Sequence, residues 1–193
     1  SFDLEDEAYR HSELLTSSIQ NILNENNLDV SDLSAVAVGK GPGSFTGLRI
    51  GFSVAKGLCY PYNIDLIGIS SLKIIANSVV KENKNIISLI KDKGEHYYIS
   101  KYSNDLKELV EPKIKLIDRD YIFNILDNDS IIVVNTDESN EFISDLVNEE
   151  IQVFKSTISS VDMISLSHKS LEEKKFEDIA YIEPMYVKKP YVN

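Results

Sequence analysis

The stretch that decides the fold reads Ala35-Val36-Ala37-Val38-Gly39-Lys40-Gly41-Pro42-Gly43-Ser44-Phe45-Thr46-Gly47-Leu48-Arg49-Ile50-Gly51. Ala35 to Val38 is a short continuous apolar run, the pattern of a strand buried on both faces. The glycines and the proline after it mark a turn. From Thr46 to Tyr60 the chain reads as a helix ended by Pro61, with Ser44 or Thr46 as its N-cap. Leu66 to Ile69 is a second short strand, and Ser70 or Ser71 can cap a helix running through Leu72, Ile75 and Val79. Strand, helix, strand, helix is the order of an α/β unit. Ahead of it, Leu15, Ile19, Ile22 and Leu23 recur at helical spacing, so residues 10–25 read as an amphipathic helix.

Beyond about Lys81 the composition turns more polar. Ile86 to Ile90, Tyr97 to Tyr102, Leu109 to Ile117, Ile131 to Val134 and Ile151 to Phe154 read as strands. Asp118 to Leu126, Glu138 to Leu146 and Val161 to Leu171 read as helices. The simplest organisation is two α/β lobes, residues 1–82 and 83–193. Tyr181 to Val192, with Pro184 and Pro190 bracketing it, is expected to pack back as an extended tail. Ser1 to Leu4 alternates polar and apolar like the inside of a strand, so the chain is expected to start part-way into a domain.

The balance of charge narrows the function. Twenty Lys and Arg against 31 Asp and Glu give a net charge of −11, which argues against a broad electrostatic grip on nucleic acid or anionic lipid. With 42% apolar and 26% charged residues the chain has the make-up of a folded domain. No run of 18 apolar residues supports a membrane span. The single Cys59 cannot form an internal disulfide, which suits a reducing, cytoplasmic setting. The acid is unevenly spread: Leu33 to Ile64 contains no Asp or Glu, yet holds Lys40, Arg49, Lys56 and six of the eight glycines.

Three familiar motifs fail in that window on spacing. A P-loop needs Gly-Lys-Ser/Thr after its second glycine, and Gly43 is followed by Ser44-Phe45-Thr46-Gly47. A dinucleotide fingerprint from Gly39 or Gly41 needs its third glycine where Ser44 or Thr46 stands, and a nucleophile elbow around Ser44 needs glycines at Pro42 and Thr46. What survives is a strand, a Gly/Pro turn and a helix N-terminus. It can hold an anion, or it can simply let a tight turn pack closely. On the helix that follows, apolar and small residues fill an arc of roughly 200°, leaving Arg49, Ser53, Lys56 and Tyr60 as a polar strip. Gly47, Gly51 and Ala55 form a small-residue ridge within that arc. The helix therefore has either a second apolar partner or a sandwiched place inside one domain. His11, His96 and His168 form no local metal pair, and Asp3, Glu5, Asp6 and Glu7 read as a solvated strand end. Cys59 reads as a small buried hydrophobe, and no catalytic set or metal site emerges.

From Gly39 to Gly51 and on through Ala55-Lys56-Gly57-Leu58, the sequence resembles the TsaB family, also called YeaZ. Gly41, Pro42, Gly43, Ser44, Phe45, Thr46 and Gly47 make up the signature loop. Ile67-Gly68-Ile69-Ser70-Ser71-Leu72 and Ile182-Glu183-Pro184-Met185-Tyr186-Val187 extend the likeness over nearly the whole chain. The resemblance implies a two-lobed α/β fold of the actin, hexokinase and Hsp70 type, its N-terminal lobe lacking its first strands here. It implies a non-catalytic subunit of the bacterial machinery that places threonylcarbamoyl on the adenosine next to the anticodon of tRNA. The catalytic partner is TsaD, a homologue carrying the metal-binding histidine pair and ATP, and the ATPase TsaE joins the pair. In isolation such chains form homodimers through the same surface. Mapped here, that surface comprises His11, Leu14, Leu15 and Ser18 on the first helix, with Gly47, Leu48, Gly51, Phe52, Ala55 and Cys59 on the second. No cofactor is expected on this chain, and tRNA is reached through the complex. The family's Asp-Ala-Arg segment is not recognisable at Ile90 to Gly94. The alternative is an ATP-dependent small-molecule kinase of the same superfamily, with Gly41 to Ser44 near phosphate.

Overall fold

The computed structural model describes residues 11–94, 96–117, 119–127, 129–135 and 151–187, without the side chains of 11–13 and 119. The alternation of β1 (Ala35–Gly41) sends Val36 and Val38 into the core beneath α2 (Phe45–Cys59), and Ala35 and Gly39 toward α3 (Ser71–Asn77). β2 (Asp65–Ser70) runs parallel beside β1, with Val36 level with Leu66 and Val38 with Gly68. β1 is less buried than its apolar run predicts, and Ala37 is exposed. Among the described residues β2 alone pairs with it. α1 (His11–Glu25) packs on α2, with Leu23 buried.

The second sheet has the order β5-β4-β3-β6-β7. β3 (Asn85–Lys91), β4 (His96–Tyr102) and β5 (Glu108–Leu116) are an antiparallel meander, and β6 (Ser130–Asn135) and β7 (Val153–Lys155) add in parallel. Its strands are period-two and apolar on both sides, so each face needs a cover. Ile87, Leu89, Tyr97, Ile99, Ile132 and Val134 pack with Ile122 of α4 (Arg119–Ile125). The opposite face, with Ile86, Ile90, Tyr98, Tyr102, Ile131 and Val133, shares one core with Ile67 and Ile69 of β2, with α3, and with Leu166 of α5 (Ile164–Glu172). The two sheets are thus joined by a common apolar core through α3.

The chain then returns to the first sheet. The Glu177 amide donates to the Leu66 carbonyl at 2.8 Å in an antiparallel bridge. Lys40 Nζ meets Glu177 Oε1 at 2.7 Å above Gly68, where a Cβ would lie 2.7 Å from both Glu177 Oε1 and Lys40 Cδ. Ile182 enters the core beside Cys59, Ile64 and Leu66, and the Met185 amide donates to the Lys40 carbonyl at 2.6 Å. The expected return of the tail is therefore seen over 181–187.

Two local expectations are corrected. The helix expected from Val161 begins as a 3-10 turn, Val161–Met163, before α5. Ser70 stands at the N-cap of α3, but its hydroxyl makes no capping bond. The strand-like Ser1 to Leu4, the acidic run Asp3 to Glu7, the Glu138 to Leu146 helix and the tail beyond Val187 lie outside the described residues.

Candidate functional site

The signature loop is built as a rivet between α2 and the returning tail. Ser44 Oγ accepts from the Gly47 amide at 3.2 Å, and Ser44 O accepts from the Leu48 amide at 2.9 Å, which starts α2. Gly41 has φ +93°, a conformation that favours glycine, and a Cβ there would lie 2.9 Å from Leu48 Cδ1. The peptide bond from Gly41 to Pro42 is cis. Beyond the cap, the Arg49 guanidinium lies 4.0 Å from the centroid of the Phe45 ring, which in turn sits 5.4 Å from the ring of Tyr186. Arg49 Nε also donates to the Tyr186 hydroxyl at 3.4 Å. The close packing that the sequence allows for this loop is seen in these contacts. A cleft of about 890 Å³ opens beside it, walled by Phe45, Leu48, Ile90, Tyr98 and Met185, with Arg49, Lys91 and Lys93 against Asp92 at its polar edge. Among the described residues no group of three His, Cys, Asp or Glu is placed to hold a metal.

The surface of α2 divides three ways. Phe52 and Ala55 are each 4% exposed and Cys59 is 0% exposed, all in one core cluster with Ile64, Leu66 and Ile182. A Cβ on Gly51 would meet Val38 Cγ2 at 3.6 Å, and Leu48 fills the space at Gly41. Leu48, Gly51, Phe52, Ala55 and Cys59, expected on the partner surface, are thus turned to the protein's own sheet and loop. The reason is geometric: Val36, Val38 and Leu66 need an apolar lid, and this is the face of α2 that lies over them. Cys59 shows the consequence, since burial first and the Asp65 charge second push its thiol up from the ordinary value.

A second side of α2 carries Arg49, Ser53 and Lys56, the expected polar strip, and forms a groove with Ile182, Glu183, Pro184 and Tyr186 of the tail. The third side lies outside both the core cluster and that groove. Gly47 and Gly57 are exposed, and Ile50, Val54 and Leu58 are half-buried at every fourth position. These three were within the apolar arc of the sequence, but only the position of β1 and β2 shows which half of that arc is spent inside. On α1, Leu14, Leu15 and Ser18 are half-buried and Ile22 is 42% exposed. His11 lies in α1, and its side chain is outside the described residues.

Relatives place this arrangement in a family. The model described as tRNA N6-adenosine threonylcarbamoyltransferase matches residues 5–122. The tRNA threonylcarbamoyladenosine biosynthesis protein TsaB of Escherichia coli (strain K12) is 32% identical over 97 residues, 49% of this chain and 42% of that protein. TsaB of Bacillus subtilis (strain 168) is 33% identical over 122 residues, 62% and 53% of the two chains. The chain spans about half the length of these curated relatives. A tRNA N6-adenosine threonylcarbamoyltransferase of Anoxybacillus flavithermus is 34% identical over 88 residues, 45% of this chain and 26% of that one. The structure of YeaZ from Pseudomonas aeruginosa superposes with a TM-score of 0.74 at 18% identity, over 94% of this chain and 86% of that chain, which shows a shared α/β fold. These matches lend the kinase alternative no support. The chain belongs to the threonylcarbamoyltransferase family, and within it to the TsaB (YeaZ) type.

Proposed function

We propose that this chain is a non-catalytic scaffold subunit that pairs with a TsaD homologue in making threonylcarbamoyladenosine next to the anticodon of tRNA. The single observation that carries the reading is the flank of α2 that the core cluster leaves out. Its inner face already fills the core, yet Ile50, Val54 and Leu58 form a second apolar row, bordered by exposed Gly47 and Gly57 and free of acid. A row of this kind, four residues apart on a helix, is matched by the ridge of another helix, and the glycines let the two backbones approach. Leu14, Ser18 and Ile22 of α1 extend the same surface by helical spacing. In the absence of TsaD, a second copy covers this flank.

In this reading ATP and metal belong to the TsaD side, TsaE joins the assembled pair, and the setting is cytoplasmic. Contact with tRNA is made mainly by the partner, in keeping with the net charge of −11. No helix among the described residues is long and apolar enough to cross a membrane. The test mixes the purified full-length protein with the TsaD homologue of the same cell. A heterodimer in light scattering is expected, with tRNA modification that requires both chains and TsaE. Separate elution, together with modification that proceeds equally without this chain, would overturn the reading.

A further inference from the structure

The cleft beside the signature loop has no part in the proposed pairing, yet its place in the fold is that of a ligand site. In the order β5-β4-β3-β6-β7 the parallel strands β3 and β6 lie side by side, the chain leaving β3 for β4 on one side and β6 for β7 on the other. The strand order therefore reverses between them. At such a reversal a crevice opens at the carboxyl ends of the strands, and that is where α/β sheets take their ligands. The cleft stands at those ends: Ile90 and Lys91 close β3, Asn135 closes β6, and Pro42 follows the last residue of β1. Its volume of about 890 Å³ is within the ~300–1,000 Å³ that small-molecule sites occupy.

The lining shows what class of molecule fits. Phe45 is 47% exposed, Tyr186 39% and Ile158 42%, and Leu48 and Met185 are half-buried on the same lining. Apolar surface of this extent in a concave site suits an apolar or aromatic body. Three cations, Arg49, Lys91 and Lys93, share the lining with one carboxylate, Asp92, which accepts from the Tyr98 hydroxyl at 3.4 Å. That balance is the reverse of the whole chain, where 31 acids stand against 20 Lys and Arg. The Arg49 guanidinium is already ordered by the Phe45 ring at 4.0 Å and the Tyr186 hydroxyl at 3.4 Å, so engaging a carboxylate or sulfonate costs it little further freedom. A polyphosphate is the poorer match, because the lining is mainly apolar and the loop lacks the Gly-Lys-Ser/Thr of a P-loop. We infer that this cleft binds a small organic anion, one acidic group on an apolar or aromatic body, with the acid toward Arg49 and Lys93 and the body against Phe45, Leu48 and Ile158.

The probe that tests this is anilinonaphthalene sulfonate, an aromatic monoanion, titrated into the full-length protein by calorimetry and by its own fluorescence. One molecule is expected to bind per chain. Lys93→Glu and Ile158→Asp, both at exposed positions, should each weaken it about 5-fold or more, and so should loss of the sulfonate in neutral phenylnaphthylamine. Val54→Arg should leave the affinity unchanged, and Mg-ATP should not displace the probe. Absence of binding, an affinity that either cleft variant leaves unchanged, or a neutral analogue that binds equally well would overturn the inference. Displacement by Mg-ATP would also overturn it, in favour of a polyphosphate, and a loss in Val54→Arg would do so by placing the probe on the α2 flank.

Discussion

Phe52→Ala separates the two orientations available to α2. Phe52 is 4% exposed and sits among Ala55, Cys59, Ile64, Leu66 and Ile182, drawn from α2, β2 and the residue before it, and the tail. These neighbours are fixed by the parallel pairing of β1 with β2 and by the tail's bond to Lys40, so they cannot collapse far into the space left. Truncating a buried Phe in such a setting costs about 3–5 kcal/mol, out of a total of about 5–15 kcal/mol for a domain. At about 2–4 °C per kcal/mol for a chain of this size, the melting temperature falls by roughly 6–20 °C. The assay is thermal unfolding of the full-length variant by circular dichroism, with capture of the TsaD homologue measured well below the transition. Capture is expected to persist while the variant is folded. An unchanged melting temperature with lost capture would refute the orientation, and would put Phe52 on the partner surface, where the family resemblance alone places it.

Two further outcomes follow from the same packing. Cys59, 0% exposed with its thiol pushed up by burial, is expected to be inert to thiol reagents in the native chain and to react fully after denaturation. Rapid native labelling would mean that α2 lifts from β2. In the second sheet, Lys101 Nζ donates to the Ile125 carbonyl at 2.8 Å and to Asp127 Oδ2 at 2.7 Å. The hydrogen bond from Lys101 first, and that from Ser130 next, hold the Asp127 carboxyl down at about 2, against an ordinary value of 3.8. A carboxyl lowered on folding adds stability that is present above its unfolded value and lost as pH falls through the folded one. Asp127 is 46% exposed, so solvent screening keeps the contribution to about 1 kcal/mol. Lys101→Met should therefore unfold at lower urea than the parent at neutral pH, with the gap narrowing between pH 4 and 2. A gap constant over that range would show that Lys101 stabilises through the Ile125 carbonyl and its packing, without the Asp127 charge.

Much of the architecture was legible because period and punctuation agree. The run Ala35 to Val38, the Gly/Pro turn and the helix ended at Pro61 are each signalled by local chemistry, and the structure places β1, the Ser44 cap and α2 there. The site was legible only in part. The wide arc on α2 showed that the helix has more apolar surface than one core needs. Which residues go inside depends on where Val36, Val38 and Leu66 stand, and that is settled by strand pairing over a sequence separation no local pattern encodes. The small ridge Gly51–Ala55 consequently turned out to seat the helix on its own strand, while Ile50, Val54 and Leu58 stay half-buried outside that core cluster. Similarly, no local signal joins Arg49 and Phe45 to Tyr186, or Lys40 to Glu177, because each contact spans most of the chain.

The central claim, that the Ile50, Val54 and Leu58 row of α2 is the docking surface, is tested most directly by the affinity of the full-length Val54→Arg protein for its TsaD homologue, read beside its melting temperature. Val54 is half-buried, outside the cluster that holds Phe52 and Cys59. A long cation there leaves the inner core untouched and puts an unpaired charge at the centre of the row. The account predicts an affinity weaker by about 30-fold or more, the loss of about 2 kcal/mol typical of a central interface residue, with melting within about 2 °C of the parent. Undiminished affinity in a folded Val54→Arg protein would contradict it.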